Sequence, residues 1–271
     1  MRRFIVIGDS GFIGSAFLEY LVSQNHEVIG VNRNLIRQYQ ASSSLVTINN
    51  LENDLFSMIR PYVNMDTIVI NCAWEKISRE FRNSVEHFAA ADREVELIRV
   101  LSQFNVRYLS FGSIAELSEV EISPSYGSTY SQAKTRVYEN LMNSQLAYTW
   151  MRIASCYGEN DSREWFLTKL VNSISSKSEL IIERPNLMIN LCHISSLVNS
   201  ALNLSPALIG KALNLYTPQW VTLNNLKKSA YELTEPKYEV RSYGAFSSSD
   251  PEGHEVESPP IVDFFTRLKF A

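Results

Sequence analysis

Short, continuous runs of apolar and β-branched residues alternate along the chain with longer stretches whose apolar residues recur every three or four positions. Phe4-Ile5-Val6-Ile7, Glu27 to Val31, Leu45 to Ile48, Thr67 to Ile70, Val106 to Phe111 and Ala147 to Ile153 read as strands buried on both faces. Between them, Phe17, Leu18, Leu21 and Val22 have helical spacing, as do Phe88, Ala91, Val95, Ile98 and Leu101, and then Ala133, Val137 and Leu141. Strand and helix patterns that alternate in this way predict an α/β fold, a parallel, doubly wound sheet. Ser247 to Pro260, rich in serine and proline, reads as a long surface loop.

A chain of 271 residues, 45% hydrophobic and 20% charged, is long enough for one large domain with a smaller lobe. A net charge of −4 offers no basic footprint, so nucleic acid is not an expected partner. Cys72, Cys156 and Cys192 lack any C-x-x-C pairing and suit a reducing compartment. The four histidines lie far apart, so no metal is expected. Arg2-Arg3 precedes only four apolar residues, too few for a signal peptide or a membrane span. The expected location is the cytoplasm.

Candidate chemistry sits where the patterns change. Phe4 to Ile7 leads into Gly8-Asp9-Ser10-Gly11-Phe12-Ile13-Gly14, a strand, glycine-rich turn and helix start. Gly8 permits the turn, Gly11 lets a pyrophosphate approach the backbone, and Gly14 lets the helix pack closely; Ser10, Phe12 and Ile13 complete the cradle. The second strand ends at Asn32-Arg33 with no acidic residue there, a pattern that favours NADP(H), with NAD(H) the alternative. Asp54-Leu55 is a candidate contact on the adenine side, though Asp54 suits a helix cap equally well. Asn71-Cys72-Ala73-Trp74 follows the fourth strand, where small residues let a cofactor pass; Trp74 is either a wall of the substrate pocket or a core aromatic.

Tyr130 and Lys134 lie one helical turn apart within Thr129-Tyr130-Ser131-Gln132-Ala133-Lys134. A tyrosine hydroxyl has a pKa of about 10, and a nearby ammonium favours its phenolate, which suits it to general acid–base work. The Tyr-x-x-x-Lys spacing is common when it occurs alone. Combined with the glycine trio, Asn71-Cys72-Ala73, Ser113 and Arg152-Ile153-Ala154-Ser155-Cys156-Tyr157-Gly158, it makes the chain resemble the extended short-chain dehydrogenase/reductases. Within that group it is similar to the nucleotide-sugar epimerases, dehydratases and ketoreductases.

The resemblance implies a Rossmann-like cofactor domain over residues 1–158, rejoined by 195–235, and a substrate lobe from 159–194 and 236–271. It implies that Tyr130 handles the proton of the reacting sugar, that Lys134 bonds the nicotinamide ribose, and that Ser113 steadies the reacting oxygen. Trp74, Tyr157 and Asn160 are then candidate substrate contacts. Arg163, Lys169, Arg184 and Arg241 are candidates for a diphosphate.

Departures from the family pattern narrow the reaction. Ile114-Ala115 replaces the dehydratases' Asp-Glu pair and the cysteine of the epimerase-reductases. Ala90 stands at the usual asparagine, and Ser195 or Ser196 at the usual acid. The expected activity is an NADPH-dependent reduction of a nucleotide-linked 4-keto-6-deoxyhexose for surface polysaccharide. A 4-epimerase is the alternative, and a non-catalytic NADP sensor the remote one. The resemblance also implies a homodimer formed through the two long helices.

Overall fold

The computed structural model describes residues 2–32, 35–39, 46–49, 57, 59–117, 127–161, 163, 165–234, 236–240 and 253–270. Expectations at Arg33, Asp54, Leu55 and Arg241 fall outside them.

The chain begins with β1 (Arg3–Ile7), α1 (Phe12–Ser23) and β2 (Glu27–Val31), followed by β3 (Leu35–Tyr39), β4 (Val46–Asn49) and β5 (Thr67–Asn71). Then come α2 (Glu86–Leu101), β6 (Arg107–Ser113), α3 (Thr129–Met142), β7 (Ala147–Ile153), β8 (Ser155–Tyr157) and α4 (Phe166–Ser175). The remainder is β9 (Met188–His193), α5 (Ile194–Leu202), β10 (Lys211–Tyr216), β11 (Gln219–Thr222), α6 (Leu223–Glu232), β12 (Glu239–Val240), β13 (Gly253–Glu255) and α7 (Ile261–Phe270).

Nine strands form one sheet in the order β13-β10-β7-β6-β5-β1-β2-β3-β4. The seven from β13 to β2 are parallel. The alternation along β1 divides its side chains between two cores. Ile5 and Ile7 pack with Ala91, Leu97, Ala133, Val137 and Leu141 of α2 and α3. Phe4 and Val6 pack with Phe17 and Leu21 of α1 and Leu197 and Val198 of α5.

Those seven strands, with helices on both faces, are the doubly wound parallel sheet expected. Beyond it β2, β3 and β4 form an antiparallel meander, in which β3 is a strand the sequence reading did not include. The strand expected at Leu45 to Ile48 runs from Val46 to Asn49, opposite in direction to β3. The loop expected over 247–260 contains β13, which joins the large sheet beside β10.

β8, β9, β11 and β12 form a second, four-stranded sheet. With α4, α6 and α7 it builds a separate core of Tyr157, Leu167, Leu170, Val221, Leu226, Ile261, Phe264 and Phe265. α5 and β10 belong to the large sheet's layers, while β11 and α6 pack with the small core.

Candidate active site

The glycine-rich turn lies between the carboxyl ends of β2 and β5. Gly8 donates its N–H to Val31 O at 2.7 Å, and Cys72 donates to Ile7 O at 2.8 Å. Gly8 has φ +82°, and a Cβ there would lie 2.8 Å from Ala73 N. At Gly14 a Cβ would lie 2.1 Å from Gly8 O, so only glycine lets α1 start this close to the turn. A Cβ on Gly11 would meet only Gly8 O, at 3.3 Å. The side of the turn carrying Ser10 and Gly11 is exposed. No side chain caps the start of α1, so its first N–H groups remain for an anion. These features fit a dinucleotide's pyrophosphate.

Asn71 fixes the backbone opposite. Its Oδ1 accepts from Ala73 N at 3.1 Å, and its Nδ2 donates to Tyr108 Oη at 3.0 Å. Tyr108 and Ser110 both donate to the buried Glu94 carboxylate of α2. Burial pushes the Cys72 thiol well up, so it stays neutral.

α3 carries Tyr130 and Lys134 on its inward face, 7% and 5% exposed. Ser128 caps this helix, its hydroxyl accepting from Ser131 N at 3.2 Å. Lys134 Nζ donates to Phe111 O of β6 at 2.7 Å and stands 3.6 Å from the centre of the Trp74 ring. Trp74 also meets Tyr130 edge-on at 6.0 Å, which joins the segment after β5 to both residues. The other face of this cluster is built by groups the sequence reading missed. Arg82 lies 4.2 Å over the Tyr130 ring, and Tyr130 N donates to Arg82 O. His87 Nδ1 accepts from Trp74 Nε1 at 3.2 Å, so its proton sits on Nε2, which faces Phe81 O at 2.9 Å. Burial holds the His87 pKa below its ordinary value.

Ser113 ends β6, two residues beyond the carbonyl that holds Lys134. Its Oγ accepts from Ala115 N at 3.2 Å, which leaves its O–H as the donor it can offer a ligand. Glu116 pins this turn. One of its oxygens accepts from Ser113 N at 2.5 Å; the other accepts from Trp150 Nε1 at 2.9 Å and Arg152 Nε at 3.0 Å. Arg152 continues to Asn214 Oδ1 of β10 at 3.2 Å. Burial pushes the Glu116 carboxyl up, and the Arg152 guanidinium opposes that. The sequence carried a signal for Glu116: Ser-x-x-Glu at a strand end is a capping box.

The other expected contacts lie elsewhere. Tyr157 is buried in the small core, with its hydroxyl donating to Pro259 O. Asn160 is an exposed turn residue with φ +64°. Arg163 is engaged by Asp161 at 2.7 Å and by Cys156 O, with its guanidinium 4.4 Å over the Phe12 ring, so it braces the start of α1. Lys169 and Arg184 are exposed. Ser195 donates to His193 Nδ1, closing the start of α5. No group of three metal-ligating side chains occurs among the described residues, and no helix among them is long and apolar enough to cross a membrane.

The sequence pattern of the NAD dependent epimerase/dehydratase family matches residues 4–198, more than half of the chain. The chain belongs to that family. It is an enzyme family of NAD-dependent epimerases and dehydratases. A comparison with curated proteins finds no match. Among solved structures, MoeE5 in complex with UDP-glucose and NAD superposes with a TM-score of 0.73 at 16% identity, covering 100% of both chains. The UDP-N-acetylglucosamine 4-epimerase from Bacillus cereus gives 0.72 at 12% identity, over 100% of this chain and 98% of that one. The corresponding epimerase from Methanobrevibacter ruminantium M1, in complex with UDP-N-acetylmuramic acid, gives 0.69 at 15%, over 99% and 96%. At these identities the likeness is one of fold.

Proposed function

We propose that this protein interconverts C4 epimers of a nucleoside-diphosphate sugar, oxidising the C4 hydroxyl to a ketone and reducing it from the opposite face. The observation that carries the reading is that Lys134, one helical turn from buried Tyr130, is held on Phe111 O of the strand that ends in Ser113, in a chain whose glycine turn leads into a helix start with no side-chain cap. A bound nicotinamide cofactor would supply the hydride acceptor for the oxidation and the hydride donor for the reduction. Tyr130 takes the hydroxyl proton as the hydride leaves and gives it back on reduction. Ser113 donates its O–H to the same oxygen and offsets the charge developing there. Lys134, held by Phe111 O one helical turn from Tyr130, would bond the nicotinamide ribose. Trp74 walls the cleft against both. The solved 4-epimerases and UDP-sugar complexes of like fold support this choice of chemistry.

Nuclear magnetic resonance of the protein with UDP-glucose, UDP-N-acetylglucosamine and related nucleotide sugars tests it. The expected result is a second sugar epimer without net consumption of cofactor, abolished by Tyr130→Phe. A second reading has one feature in its favour, the Arg33 that follows Asn32 directly. In that reading the enzyme reduces a nucleotide-linked 4-keto-6-deoxyhexose with NADPH, on the way to a deoxysugar of surface polysaccharide. Loss of NADPH absorbance in proportion to keto sugar consumed, with no epimer formed, would establish the second reading and overturn the first.

A further inference from the structure

Asp9, in the glycine-rich turn, carries a carboxylate that is 2% exposed. One oxygen accepts from Asn32 Nδ2 at 3.0 Å. The other is buried and has no hydrogen-bond partner among the described residues. Gly30 of β2 makes the room, because a Cβ there would stand 2.4 Å from that second oxygen. The backbone of Gly8 and Asp9 is held on Val31 O, the last residue of β2. A negative charge is thus built in beneath the carboxyl end of β2, where dinucleotide folds read the adenosine ribose.

We infer that Asp9 is a specificity-determining residue of the cofactor site, supplying from the glycine turn the charge that the end of β2 lacks, and that it selects NAD(H) over NADP(H). Two effects act together. A carboxylate is acceptor-only, so it draws the Asn32 amide nitrogen towards itself and turns the amide carbonyl the other way. That fixes the Asn32 side chain at the end of β2. The buried charge also repels a 2′-phosphate through a medium that screens poorly. The sequence expectation of NADP(H) counted acids only at the end of β2 and so left this one out. The inference rests on the cleft being a dinucleotide site, as the proposed function requires, and not on which sugar reacts.

Fluorescence titration of the full chain with NADH and with NADPH tests it. The wild type is expected to bind NADH at least tenfold more tightly. Asp9→Asn, which keeps the shape and removes the charge, is expected to shrink that ratio severalfold, mainly by tightening NADPH. The wild type alone supplies a second measurement: 2′,5′-ADP should displace NADH at least tenfold less well than 5′-ADP. Tighter binding of NADPH by the wild type, equal competition by the two nucleotides, or an unchanged ratio in Asp9→Asn would overturn the assignment of Asp9. Failure of both dinucleotides to bind would overturn the dinucleotide site itself, and the proposed function with it.

Discussion

At the scale of single residues, the site divides into groups for the reaction and groups that hold them. Tyr130→Phe removes the proposed proton carrier and little else, so kcat is expected to fall by about 10²–10⁴ with the thermal midpoint nearly unchanged, measured by steady-state kinetics and calorimetry. Glu116→Ala is expected to do the opposite first. It leaves the Arg152 guanidinium buried without its carboxylate, a loss of about 3–5 kcal/mol that urea unfolding reads directly. His87 adds a dependence on pH. Its folded pKa lies below the ordinary 6.5, so an unfolded chain takes up a proton there that the folded chain resists. The stability this contributes is complete above 6.5 and declines as pH falls below it. Unfolding midpoints from pH 8 to 5 should therefore fall less in His87→Gln than in the wild type. Tyr130 and Lys134 were legible in the sequence because one helical turn is a local rule. Asp9 was not, because its meaning depends on the missing side chain of Gly30, on another strand.

At the scale of elements, periodicity revealed most of the strands and long helices. β7 occupies the expected span, β1 and β5 extend the expected runs by one residue, and β6 begins one residue later than expected and ends two residues later. The edge was harder to read. Leu35 to Tyr39 mixes arginine and glutamine with apolar residues, as an outer strand can. Such a pattern does not by itself distinguish a strand from a loop, nor antiparallel from parallel pairing. β13 is only three residues long and sits within a stretch of loop composition, so what marks it as strand is its pairing with β10. The junction of turn and helix is the most constrained element of the site. Gly14→Ala would place a methyl 2.1 Å from Gly8 O and push α1 off the turn. Dinucleotide affinity is expected to drop at least tenfold while circular dichroism shows the helices retained.

At the scale of the whole molecule, two cores meet along the carboxyl edge of the large sheet, and Arg163 over Phe12 is one of the contacts that join them. The apolar stripes of α2 and α3, the helices through which the resemblance implies a homodimer, are used inside the chain's own core. Their outward faces carry Asp92, Arg93, Glu96, Arg99, Arg136 and Glu139, with Arg136 paired to Asp92 at 2.5 Å. A dimer built on these faces has charge as its principal adhesive. Sedimentation is expected to show it dissociating between about 50 and 500 mM salt, as the screening length falls below the spacing of such groups.

The glycines have a consequence for sequence drift. Side chains are usually regarded as what selection preserves, yet at Gly8, Gly14, Gly30, Gly112 and Gly158 the space a methyl would need is already filled by neighbouring backbone or side-chain atoms. Gly127 and Gly210 have open space around them and answer only to their backbone angles. In a library of every single substitution, the silhouette of the cleft should therefore be drawn largely by positions that have no side chain.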